Sequence, residues 1–248
     1  MKKIVAISAL LASIAAFATS VTSENTFGVL KIADTTSEQL IISVPWEKVG
    51  GGDVKITDLV LPKGLYDSTK LYYYDGSNYM AFGVKDGQWQ NGELAGGAVY
   101  NENQSIARGS ALIIVRTKGD EDAAYPVIYL SGQYAAATNS TIAEATSDAP
   151  SYTLIAPTVA NSSNVDLNTV SDRWSEAKVG DVITYGTTTY NYDGRFWYKE
   201  TMGDTSISVT GGSSFKPPQK VTTGITIPAG QGAWYIRAKG GTSFTVNW

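Results

Sequence analysis

The sequence predicts an all-β protein built as two tandem, related β-sandwich or barrel-like units that could pack about a pseudo-twofold axis. Three observations carry this. Short runs rich in Val, Ile, Tyr and Thr alternate with Gly, Asp, Asn and Ser along the chain. Asp-Gly pairs at 75–76, 86–87 and 193–194 sit between such runs, and Asp-Gly tolerates the positive φ of tight hairpin turns. Finally, two signals occur twice in the same order. Tyr72-Tyr73-Tyr74-Asp75-Gly76 is answered by Tyr190-Asn191-Tyr192-Asp193-Gly194, and Ala107–Arg116 by Pro228–Arg237, at offsets of 118 and 121 residues.

Residues 1–18 read as a signal peptide. Lys2 and Lys3 form a basic start, Ile4–Ile14 an apolar core, and Ala16-Phe17-Ala18 a small-x-small cleavage site. No Cys follows that would mark a lipoprotein. Removing 18 of the 248 residues leaves 230, enough for one large or two ordinary β domains. No later segment approaches the ~20 apolar residues of a membrane-spanning helix. The expected address is therefore outside the cytoplasm: extracellular, cell surface or periplasm.

The predicted first unit covers 19–135, with strands at Phe27–Ala33, Gln39–Val44, Lys70–Tyr74, Tyr79–Val84, Ala111–Arg116 and Val127–Gln133. Residues 136–150, rich in Ala, Thr, Ser and Asn without periodicity, read as a linker. The second unit covers 151–248, with strands at Tyr152–Ala156, Val182–Tyr185, Thr188–Tyr192, Phe196–Glu200, Ser206–Thr210, Gly224–Ile227, Ala233–Ala238 and Ser243–Trp248. Gly211–Gly224, with Pro217-Pro218, reads as an inserted exposed loop. Helical signal is nearly absent. Ser171–Lys178 supports a turn or two stopped by Gly180, and Trp46–Val49 is its proposed counterpart, since both lead into Gly-Asp-Val (52–54 and 180–182) at an offset of 128.

Composition excludes several functions. Losing Lys2 and Lys3 takes the formal charge from −4 to −6, which gives no reason to expect nucleic acid or anionic lipid as partners. There is no Cys, so the fold must rely on its core. There is no His, which excludes Ser-His-Asp and Cys-His catalysis and every His-containing metal site.

The candidate binding residues are aromatic. Tyr72, Tyr74 and Tyr79, with Tyr66, cluster around the first Asp-Gly turn, and Tyr192, Phe196 and Trp197, with Tyr190 and Tyr198, around another. Exposed, these rings would be platforms for sugars or proteins, presented twice. As half-buried cross-strand pairs they would be scaffold. Among carboxylates, Asp53, Glu93, Asp181 and Glu200 are the candidates for a two-carboxylate glycoside hydrolase. None lies in a distinctive motif, and no catalytic residue is assigned. Asp75-Gly76-Ser77-Asn78 and Asp120-Glu121-Asp122 offer loop oxygens of the kind calcium accepts. Neither has the spaced calcium-loop pattern, so no metal and no cofactor is expected. Gly50–Gly52 and Gly230–Gly232 lack a phosphate-binding context and read as turns. Arg116 and Arg237 end matching apolar strands; buried Arg needs a partner, so equivalent salt bridges are expected.

The closing alternation Phe244-Thr245-Val246-Asn247-Trp248 resembles the assembly signal of outer-membrane barrels. Barrel strands need ~9–11 residues, longer than most runs here. Three sets of segments resemble recurring pieces of uncharacterised exported proteins of the Planctomycetes–Verrucomicrobia–Chlamydiae bacteria. They are Asn25–Leu30, Val44-Pro45-Trp46 with Val49–Asp53, and Ile106–Ala111. The resemblance covers much of the first unit and fades in the second; it implies export and a β-rich body and carries no activity. The expected function is an exported, non-catalytic structural or binding protein whose partner is a cell-envelope component, a glycan or another protein. An outer-membrane β-barrel and a glycan-active hydrolase are the alternatives.

Overall fold

Alternation with period two sets the strands. In β2 (Gln39–Ser43) and β5 (Lys70–Tyr74) every second side chain is buried, and the same holds in β9 (Ala111–Val115) and β21 (Ala233–Arg237). This is the geometry of a sheet with one face on a core. The structure, a computed structural model, describes residues 27–32, 36–44, 46–47, 54–55, 69–74, 79–85, 88–91, 105–106, 110–118, 124–134, 139–157, 164–169, 171–202, 207–208, 214–215 and 218–248. Within them strands are the main regular structure, and every pairing between strands is antiparallel. No described helix is long and apolar enough to cross a membrane.

The remaining strands of the first part are β1 (Phe27–Ile32), β3 (Trp46–Glu47), β4 (Val54–Lys55), β6 (Tyr79–Lys85), β7 (Gln88–Asn91), β8 (Ser105–Ile106) and β10 (Ile128–Tyr134). They form a five-stranded sheet in the order β2-β9-β5-β6-β7, a β4-β8 ladder and a β1-β10-β3 sheet. The later strands are β11 (Asn139–Ile142), β12 (Ser151–Ile155), β13 (Val165–Asp166), β14 (Val182–Tyr185), β15 (Thr188–Tyr192), β16 (Trp197–Met202), β17 (Ile207–Ser208), β18 (Ser214–Phe215), β19 (Pro218–Val221), β20 (Thr226–Ile227) and β22 (Phe244–Asn247). Here the order is β12-β21-β14-β15-β16-β19, with ladders β13-β20, β11-β22 and β17-β18.

The same order of connections occurs in both parts. In each larger sheet the first strand lies beside the last, the last beside the second, and the next strands follow in sequence. In each, the strand before the sheet pairs with the strand after it: β1 with β10, β11 with β22. The described residues form two core clusters. One cluster runs from Leu40 to Ile114 and the other from Ile142 to Trp248, with Ala229 the later residue that packs against the first cluster.

The strand order corrects the register read from the repeated motifs. Tyr192-Asp193-Gly194 follows β15, whose place in the order is that of β6, not β5. In strand order β15 and β16 answer to β6 and β7. Likewise Asp181 precedes β14 as Thr69 precedes β5, so Asp53, which precedes β4, is not its equivalent. Identity of short Gly- and Asp-containing words misled here, because such words suit any hairpin. The Arg-ended strands do match: β9 and β21 hold the same place, and Arg116 and Arg237 are both buried.

Three element assignments also change. The expected linker contains β11, whose Ser140 and Ile142 point inward in a segment too short and polar to show its period. Trp46–Glu47 is a strand paired with the end of β10, not a helical turn. The expected loop 211–224 contributes β18 and β19. β19 begins with Pro218 at the sheet edge, where a missing N–H costs no ladder bond. Ser171–Trp174 is a short 3-10 helix, and Gly180 follows at φ +93°, as the stop signal implied.

The two larger sheets meet at a tight junction. The Gly232 amide donates to the Ile41 carbonyl at 2.8 Å and the Ser43 amide to Gly230 at 2.9 Å, continuing the free edge of β2. A Cβ on Gly232 would lie 2.7 Å from both the Ile155 carbonyl oxygen and Ile41 Cγ2. Gly232→Ala is therefore expected to lower stability by about 1–3 kcal/mol, read by urea unfolding. Gly83→Ala, which meets nothing within 4 Å, is the control and should be neutral or slightly stabilising.

Candidate functional site

Two of the aromatic candidates belong to the core. Trp197 is fully buried and Tyr192 nearly so. Both belong to a ring cluster built on β15, β16 and β21 under the 3-10 helix. Trp174 meets Trp197 edge-on at 5.1 Å and Trp248 at 5.8 Å, and Tyr192 lies 5.1 Å from Trp197. The reason is their place in the strands: β15 buries Tyr190 and Tyr192, and Trp197 opposite Tyr192 must point inward with it. Tyr192 and Trp197 are thus scaffold, and the binding role assigned to them is corrected. Phe196, beside the turn, is 38% exposed, with the Arg195 guanidinium 4.9 Å from its ring centre. Tyr74 is 43% exposed and Tyr72 half-buried. The Tyr79 side chain, Tyr66 and the Asp75–Asn78 turn lie outside the described residues. The C-terminal Trp248 is likewise interior: its indole N–H donates to the Ser140 hydroxyl at 2.8 Å.

Asp181 is the best-connected carboxylate and is fully buried. One oxygen accepts from the Arg237 guanidinium at 2.5 Å, the Tyr235 hydroxyl at 2.5 Å and the Lys178 amide at 2.8 Å. The other accepts from the Ala238 amide at 2.7 Å. Arg237 is 1% exposed. Its guanidinium carbon sits 4.8 Å from the Phe244 ring centre, and Gly241 leaves the room its chain needs. Arg116 donates to the carbonyls of Pro126 at 2.7 Å and of Ser37, and stacks 5.2 Å over Tyr125. A salt bridge of the expected kind forms at Arg237, to Asp181. A carboxylate engaged by four donors, with no solvent exposure, holds structure together; it is not poised for proton transfer. Glu200 stands exposed on β16. Asp53, Glu93, Gly50–Gly52 and Asp120–Asp122 lie outside the described residues. Among the described residues no three Asp or Glu side chains gather as a metal site.

Among the described residues, a feature with a ligand's dimensions lies elsewhere. A cleft of about 650 Å³ opens between β2 and the β14–β15 hairpin, with Gln231 and Gly232 at the junction of the two sheets. That volume falls within the usual range of ligand pockets. Gln39, Leu40 and Ile41 line it from β2, Thr184 to Thr188 from the hairpin, and Trp234 from β21. The β14–β21 register sets Thr184 opposite Trp234. Gly186 takes φ +55° at the hairpin tip. The Tyr185 hydroxyl and the Gln231 side-chain carbonyl are hydrogen-bonded at 2.5 Å. None of the described lining residues is charged. Sequence reasoning missed this site because its walls come from distant segments, and Gly230-Gln231-Gly232 reads simply as a turn. The one signal present was the Thr-rich run 184–189.

Three outcomes test these assignments. Trp197→Ala should cost about 3–5 kcal/mol of stability, as a core cavity does. Asp181→Asn, which leaves Arg237 buried without its counter-charge, should cost about 3–5 kcal/mol. Burial first, and then the Asp181 carboxylate it donates to, push the Tyr235 hydroxyl above the ordinary phenol range of 10.0. The unfolded chain releases that proton near 10 and the folded chain keeps it. Stability should thus be full below pH 10 and fall by about 1.4 kcal/mol per pH unit above it. Tyr235→Phe should flatten this slope in alkaline denaturation curves.

No protein-family model matches the chain, and no curated protein or solved structure is found similar to it.

Proposed function

We propose that the chain is an exported, non-catalytic binding protein of two tandem β units that takes its ligand in the cleft between its two larger sheets. One observation supports this above the rest: the cleft has a ligand's volume, and its described lining residues are all uncharged. General acid–base catalysis needs an ionisable group within reach of the substrate, and the described lining supplies none beyond the Tyr185 phenol. The two-carboxylate hydrolase loses Asp181 to the buried ion pair. The repeated strand order favours a duplicated scaffold, on which the recognition surface is the line where the copies meet. The longest described strands have seven residues, short of the ~9–11 that an outer-membrane barrel needs.

The test is retention of residues 19–248 on isolated cell envelopes and on proteins co-purified from the culture medium, compared with Thr187→Arg. Thr187 is exposed at the hairpin, so arginine there fills the cleft mouth without touching the core. Retention by the wild type, loss in the variant and an unchanged melting temperature are expected. Equal retention of both proteins, or release of cleaved product during incubation, counts against the proposal.

A further inference from the structure

We infer that the ligand of this cleft is a neutral glycan and that Gln231 is the fixed donor that reads it; this rests on the cleft being the binding site. Gln231 is 6% exposed. Its carbonyl oxygen is engaged by Tyr185. Holding that oxygen fixes the rotamer, so the amide nitrogen, which has no partner among the described residues, is presented to the cleft as an oriented donor. A donor so placed, otherwise satisfied only by water, favours a ligand that brings an acceptor oxygen to it.

Charge narrows the ligand class. A phosphate, carboxylate or ammonium group entering the cleft would lose water and find no counter-ion among the described lining side chains, a desolvation that is costly unless paired. A purely apolar ligand would strip water from Gln39, Gln231 and the threonines of the hairpin and return nothing to them. A sugar satisfies both demands, because it carries many hydroxyls, no charge, and C–H faces that pack on a ring such as Trp234.

A neutral peptide meets the same charge criterion, and the edge of β2 decides against it. An added strand needs a run of outward N–H and C=O groups. Glu38 accepts from Arg116 across the β2–β9 pair, so Gln39, Ile41 and Ser43 face the other way. The Ile41 carbonyl and the Ser43 amide are taken by Gly232 and Gly230. Ahead of that junction the two groups of Gln39 and the Ile41 amide are left, a shorter run than a docked strand needs.

The test is calorimetric titration of residues 19–248 with neutral oligosaccharides (α- and β-linked glucans, chitin and xylan fragments), a polygalacturonate fragment and a neutral unstructured peptide. Binding to at least one neutral oligosaccharide is expected. Gln231→Leu should weaken it about tenfold or more, and Thr187→Arg should abolish it with the fold intact. Gln231→Leu is judged at a temperature where its circular dichroism matches wild type. Binding of the acidic fragment or the peptide alone would overturn the glycan assignment and leave the cleft standing. Oligosaccharide binding unaffected by Thr187→Arg would overturn the cleft itself. Binding of no probe at all, where envelope retention persists, would again refute the glycan alone.

Discussion

The carboxylate of Asp181 is the constraint on which the later sheet depends. It ties the start of β14 to the end of β21 through Arg237, Tyr235 and the Ala238 amide, and to the turn after the 3-10 helix through Lys178. Its own backbone accepts from Tyr192 at 3.0 Å, which brings in β15. A buried ion pair is a poor source of stability against an apolar replacement of equal volume, but it tolerates no slippage, because any shift leaves a charge unpaired. What it contributes is register. With Val182 held opposite Ile236, Thr184 must fall opposite Trp234, and those two residues are walls of the cleft.

The other end of β21 is fixed by a different means. Gly232 lets the strand approach β2 and the end of β12 more closely than any side chain would allow, and its amide continues the edge of β2. One strand is therefore pinned by a charge at its end and by a close backbone approach at its start. Gln231 sits just before this close approach, which is why its side chain can be buried and still line an opening. The site is a consequence of where two sheets are forced together. In the residue before its second strand the first sheet has Thr69 and the second Asp181.

Much of the fold is legible in the sequence. Runs such as Lys70–Tyr74, Val182–Tyr185 and Thr188–Tyr192 are strands at the expected bounds, because β-branched and aromatic residues between turn signals leave little else for the backbone to do. Short polar strands are not legible. Asn139–Ile142 and Pro218–Val221 take their conformation from the partners they meet, β22 and β16, not from their own composition. The repeated motifs pointed to a recurring unit but at the wrong register, since Tyr-Asp-Gly marks a hairpin without saying which. The candidate site was hidden for a stronger reason. Aromatic clusters stand out in a sequence, and here Tyr192 and Trp197 serve the core. The cleft gathers Gln39, Thr187 and Gln231, which no local pattern connects.

If the proposed site is right, recognition happens at the line between the two sheets and not at the aromatic turns. Side-chain amide and backbone shifts, followed by NMR during titration with a bound neutral oligosaccharide, distinguish the two places. The Gln231 side-chain amide and the Gln39 and Thr187 backbone amides are expected to move first and furthest, while the amides of Tyr74 and Phe196 stay in place. Shifts centred on the Tyr74 and Phe196 turns, with Gln231 unmoved, would contradict it.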